Sequence, residues 1–167
     1  MKTLTPFGVN DFIPAEASTY SAIINKVETQ FKKQGYEQVI TPTIEYYDSL
    51  LPGMGESLKE SSIKFFDGSG QMLLMRPDHT TPIARMVANR MKSEKLPLRL
   101  YYQGPIFRNS VITNDDVELF QAGQELLGLD SVESDTEIIE CCIETLKKLG
   151  YKDICIDIGH VEFIKGL

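Results

Sequence analysis

Apolar residues recur along the chain at helical spacing in some stretches and at strand spacing in others. Over residues 15–34, Tyr20, Ile23, Ile24, Val27 and Phe31 form one stripe and Gly35 supplies a stop, so the spacing predicts a helix. The run 36–42 reads as a short strand ended by Pro42. Residues 45–51 are predicted as a short helix, followed by a loop at Pro52-Gly53-Met54-Gly55. Two apolar runs, 63–67 and 71–75, flank Gly68-Ser69-Gly70 and predict a β-hairpin. A second helix is expected from Thr81, with Pro82 in its first turn and Ile83, Val87 and Met91 on one face. Residues 98–107 and 117–127 read as two strands joined by a polar loop. Ser134-x-x-Glu137 matches a capping box, and Ile138, Ile139, Ile143 and Leu146 carry a third helix to Gly150. Residues 153–158 are predicted as a last strand.

Strands come in consecutive groups with few βαβ alternations. This order favours an α+β domain built on a largely antiparallel sheet. The 167 residues fit one domain with a sizeable core. A helix or hairpin is expected after the last predicted strand to cover the sheet, so residues 1–167 read as the N-terminal part of a longer protein.

Charge narrows the function classes. A formal net charge of −7 argues against a general nucleic-acid surface, which draws on clustered Lys and Arg. The apolar runs are too short to span a bilayer, and the N-terminus has no apolar core of signal-peptide length. A cytoplasmic location follows by default. Cys141, Cys142 and Cys155 lack framework spacing and read as reduced thiols. With two histidines and no C-x-x-C, no metal site is expected.

Candidate chemistry gathers in two places. Met75-Arg76-Pro77-Asp78-His79-Thr80-Thr81-Pro82 leads from a strand into a helix N-terminus, where Asp78 and Thr80 either cap the helix or face a ligand ammonium or imidazole. The second place is the strand pair around the polar loop. Arg108 closes the first strand with a planar fork of donors suited to carboxylate or phosphate, or it makes a surface salt bridge with Asp115, Asp116 or Glu118. Gln121 and Glu125 lie an even number apart and share one strand face. The apolar residues after Glu125 imply partial burial, and a partly buried carboxylate needs a partner. His160, after the last predicted strand, is a weaker candidate.

In this order the segments resemble a class II aminoacyl-tRNA synthetase core of the histidyl type, over nearly the whole chain. Thr5 to Pro14 resembles the family's entry segment. Gly35 to Pro42 resembles the first class II motif, which lies at the dimer interface. Arg76-Pro77-Asp78-x-Thr80 is similar to the family's Arg-Pro-Glu-Gly-Thr turn, which holds the amino acid's ammonium. Phe107-Arg108 and Gln121-x-x-x-Glu125 resemble the second motif and the strand after it. Gly159-His160-Val161 resembles the family's Leu-Gly-His-Val segment. The resemblance implies a class II synthetase-like antiparallel sheet flanked by helices. It also implies a histidine-like pocket of Asp78, Thr80, Arg108, Gln121 and Glu125.

The departures concern nucleotide handling. The family's Phe-Arg-x-Glu is Phe107-Arg108-Asn109-Ser110 here, the loop 111–116 is acidic, and Val117 stands where an arginine is expected. Holding a triphosphate relies on clustered cations. The pattern therefore resembles the synthetase paralogues that act as regulatory subunits of ATP phosphoribosyltransferase. That resemblance implies a non-catalytic subunit without a cofactor, partnered by a short-form catalytic subunit in the first step of histidine biosynthesis. It further implies self-dimerisation through the first-motif region, histidine as a ligand either in this pocket or near the boundary between the two subunit types, and neither nucleic acid nor membrane as a partner. Two alternatives stay open: a histidyl-tRNA synthetase or part of one, and a dimerising domain that binds no small molecule.

Overall fold

The structure is a computed structural model that describes residues 4–109 and 116–159. Its elements, in chain order, are α1 (Pro14–Lys33), β1 (Glu37–Gln38), β2 (Ile44–Tyr46), α2 (Tyr47–Leu50), a 3-10 turn (Leu51–Gly53), α3 (Glu56–Ser61), β3 (Lys64–Phe66), β4 (Met72–Met75), α4 (Thr80–Arg90), β5 (Leu98–Phe107), β6 (Glu118–Leu127) and α5 (Val132–Leu149). The strands form two sheets in the orders β1-β5-β6 and β2-β4-β3. Among the described residues only β1 and β5 pair in parallel; the other ladders are antiparallel, as the grouping of strands along the chain predicts.

The long β5–β6 ribbon divides the molecule. Odd residues of β5 face α1 and α5. Tyr101 packs with Val27, Phe31, Tyr36 and Cys141, and Arg99 grips Glu137 of α5 through both carboxylate oxygens at 2.7 Å. Even residues face α4, where Leu100 and Tyr102 pack with Ile83 against Val87 and Met91. The period-2 geometry of a strand thus sends two different cores to the two faces. A third cluster, Leu50, Met54 and Leu74, lies beneath the small sheet.

Arg76 joins the two sheets. Its backbone N–H donates to the Thr43 carbonyl and its own carbonyl accepts from Phe107 N. Its guanidinium, only 5% exposed, donates from Nε to Pro105 O at 2.8 Å and from Nη1 to Thr41 O at 2.7 Å. Burial pulls its pKa down from the usual arginine value, and the Glu45 carboxylate partly offsets this. A Cβ added at Gly104 would sit 2.8 Å from Arg76 Nη2, so the bare strand backbone there is what lets the guanidinium in.

Four local readings need correction. Glu45 is the middle residue of β2 rather than the start of a helix, because Arg85 of α4 pairs with it at 2.6 Å and draws it inward. The loop expected at Pro52-Gly53-Met54-Gly55 begins inside the 3-10 turn and leads into α3, whose Ser61 and Ser62 hydroxyls bond back to carbonyls one turn earlier. The third long helix starts at Val132, not Ser134. Ser131 is its N-cap and Ser134 reciprocates, while Glu137 is taken by Arg99 and Tyr36. Residues 153–158 form no ladder among the described residues. His160 and loop residues 110–115 lie outside the described residues.

Replacing Arg76 with Ala is expected to cost on the order of 3 kcal/mol in urea unfolding, because it leaves the Thr41 and Pro105 carbonyls without their donor and opens space between the sheets. Arg76→Lys is expected to recover less than half of that, since an ammonium has no fork to span both carbonyls.

Candidate functional site

Ladder register places the site. Tyr102 lies opposite Gly123, Gly104 opposite Gln121, and Leu100 opposite Glu125. Gln121, Gly123 and Glu125 therefore share the α4-facing side of the ribbon with Tyr102. The alternate residues of β6 point away: Phe120 meets Tyr20 of α1, and Gln124 Nε2 donates to Ile138 O of α5. The even spacing of Gln121 and Glu125 was enough to predict their common face.

The turn after β4 closes over this side. Thr80, the first residue of α4, donates its hydroxyl to Glu125 Oε1 at 2.8 Å across 45 residues of sequence. Asp78 accepts a long bond of 3.4 Å from Thr81 N, so it only loosely caps α4. Arg108 Nε donates to Pro77 O at 2.9 Å, which ties the end of β5 to the same turn. Four of the five predicted residues are thus linked through one turn and one ribbon, and Gln121 lies on that ribbon two residues from Gly123.

Its electrostatics are those of a half-buried acidic cluster. Burial raises the Asp78 carboxyl above the ordinary aspartate value, with the Arg108 charge acting against it. Burial likewise raises Glu125, the Asp78 charge adds to this, and the Thr80 hydrogen bond opposes it. The Gln121 side-chain oxygen is shielded from solvent and accepts no hydrogen bond among the described residues. Such an orphaned acceptor calls for a donor. The site offers three acceptors for a cationic or N–H-bearing group and one guanidinium for an anionic end. No cluster of three metal-ligating side chains occurs among the described residues.

Two residues of this side escaped the sequence reading. Tyr102, 7% exposed, extends over Gly123, where an added Cβ would lie 2.6 Å from its Cζ. His79, 2% exposed, stacks on Tyr102 with ring centroids 4.6 Å apart, and its Nε2 lies 3.3 Å from Gly104 O. The available signal was the pair of glycines, Gly104 and Gly123, inside otherwise side-chain-rich strands. A concavity of about 610 Å³ lies elsewhere, between the end of α1 and the start of α5; its Arg99 is already held by Glu137.

Glu125→Gln is expected to stabilise the fold at pH 7 by about 1 kcal/mol, or roughly 3 °C in melting temperature. A carboxyl whose folded pKa is raised favours the folded state below its unfolded value, and that advantage is lost as pH rises through the folded value. His79 has the opposite sign. Burial, reinforced by the Arg76 charge, lowers it to about 4, so its neutral form adds stability above pH 6.5 that disappears as pH falls toward 4. The acid-side loss, up to roughly 3 kcal/mol, is expected in wild type and absent in His79→Phe when urea unfolding is followed from pH 7 to pH 4.

Known proteins place this arrangement. A family model described as Histidyl-tRNA synthetase matches residues 8–167. A protein of Geobacter metallireducens named ATP phosphoribosyltransferase regulatory subunit is 41% identical over 97% of this chain and 38% of its own length. A crystal structure from Bacillus halodurans, described as an ATP phosphoribosyltransferase regulatory subunit/histidyl-tRNA synthetase, superposes with a TM-score of 0.88 at 33% identity, over 98% of this chain and 42% of that one. The apo histidyl-tRNA synthetase of S. aureus shares the fold, with a TM-score of 0.76 at 22% identity over 90% of this chain and 36% of that one. The chain spans about two fifths of the length of the curated relatives it matches. With its class II α+β architecture and a model match over nearly every residue, the chain belongs to the histidyl-tRNA synthetase family.

Proposed function

We propose that this chain is part of a non-catalytic regulatory subunit of ATP phosphoribosyltransferase, acting in the cytoplasm with a short-form catalytic subunit at the first step of histidine biosynthesis. The relatives carrying that name support the reading. The observation that carries it is the charge balance of the site. Asp78 and Glu125, both half-buried, and the orphaned Gln121 oxygen suit the ammonium and imidazole N–H groups of histidine. Arg108 suits its carboxylate. A triphosphate would need more positive charge than one arginine acting beside Asp78 and near Glu125. The subunit pairs with a second copy through the first-motif region, and it takes neither nucleic acid nor membrane as a partner. No helix among the described residues is long and apolar enough to cross a membrane.

Regulation then amounts to a coupling free energy. Histidine bound to this subunit changes the population of active transferase, and transferase binding changes histidine affinity by the same factor. A second reading, ATP-dependent histidine activation and tRNA charging, draws on the family description itself. The two differ in one assay: a synthetase supports histidine-dependent exchange between pyrophosphate and ATP.

The full-length protein mixed with a short-form transferase is expected to raise turnover and to add inhibition by histidine, with no pyrophosphate exchange. Unchanged turnover and unchanged histidine sensitivity would refute the regulatory reading, and robust exchange would establish the synthetase in its place.

A further inference from the structure

We infer that Tyr102 is a specificity-determining contact for the ligand of this pocket and that His79 is its positioning residue. The inference deepens the proposed function and rests on that reading of the site.

Two bare backbone positions make the arrangement possible. At Gly123 an added Cβ would meet Tyr102 Cζ at 2.6 Å, and at Gly104 one would sit 3.3 Å from His79 Cε1. Tyr102 lies opposite Gly123 in the ladder and Gly104 opposite Gln121, so the two openings are diagonal neighbours on one face. The tyrosine ring leans across the ribbon through one of them, and the imidazole sits in the other.

His79 is held at both ends. Its backbone is the N-cap of α4, and its carbonyl accepts from Ile83 N at 3.0 Å. Its ring lies between Gly104 O, at 3.3 Å from Nε2, and the Tyr102 face, stacked at an interplanar angle of 21°. A carbonyl facing Nε2 requires the proton there. The nearby Arg76 guanidinium and the burial keep the ring neutral, consistent with a pKa of about 4. His79 is thus a neutral plate that fixes the plane of Tyr102.

What it fixes is the Tyr102 hydroxyl. Thr80, Glu125 and Asp78 all act on that group, and burial with the two carboxylates pushes its pKa to about 12. The floor of the pocket therefore carries a neutral donor–acceptor among charged acceptors. A buried hydroxyl that loses its partner is costly, so it discriminates by what it leaves unpaired. It favours a ligand that aims a ring or chain nitrogen at the floor, and it rejects an apolar isostere.

The test uses full-length protein carrying tyrosine labelled with 13C at Cζ. The Tyr102 resonance is identified by its loss in Tyr102→Phe. It is expected to shift on saturation with L-histidine. Tyr102→Phe is expected to weaken L-histidine binding about tenfold and to relax discrimination against L-leucine, with melting temperature nearly unchanged. His79→Phe keeps a stacking ring and should retain most of the response, whereas His79→Ala should lose it. Should His79→Ala fail to fold, His79→Asn, which keeps a donor for Gly104 O without the plate, takes its place. An unmoved Tyr102 resonance, or wild-type affinity and selectivity in Tyr102→Phe, overturns the ligand contact. A full response in both His79→Ala and His79→Asn overturns the positioning role. Transferase activation with an unmoved resonance sinks this inference alone; a moving resonance without activation sinks the regulatory reading alone.

Discussion

The structure depends on one buried guanidinium. Arg76 directly follows β4, and from there it donates to the chain between β1 and β2 and to β5. Without it, the two sheets would share few polar ties. An arginine fits this place because its planar fork serves carbonyls lying in different directions. The cost of burying the charge is met by several carbonyl dipoles and by Glu45 nearby. The residues that follow it inherit its position. Pro77, Asp78, His79 and Thr80 are set over the ribbon because Arg76 holds the turn down.

The candidate site opposes the stability of the fold that carries it. Asp78 and Glu125 are both held in surroundings that disfavour their charged forms. The Gln121 oxygen lacks a donor among the described residues. A sequence selected for stability alone would replace these groups with neutral, paired ones. Their placement together on one face makes this side of the ribbon a candidate binding site, where a ligand would supply the missing partner.

Much of this was legible from residue patterns. Helices α1 and α4 and the β5–β6 ribbon follow periodicity, and the four-residue, even spacing of Gln121 and Glu125 set their face. The ordered motifs carried the family. What was not legible depended on distant partners. Glu45 became a strand residue because Arg85 reaches it from α4, and α5 begins at Val132 because Ser131 and Ser134 cap it reciprocally while Glu137 is drawn to Arg99. The Thr80–Glu125 bond joins residues far apart in sequence. Tyr102 looked like one more core aromatic and His79 like a lone histidine. Only the ladder register reveals that two glycines leave room for both rings.

Strand β6 serves two masters at single-residue alternation. One set of its side chains faces α4 and the Asp78–Thr80 turn, and the intervening set packs on α1 and α5. Adding or deleting one residue within it would swap the sets, sending Phe120 toward that turn and Glu125 into the apolar layer. The strand therefore tolerates substitution far better than a change in its length, which the connections at its two ends can absorb.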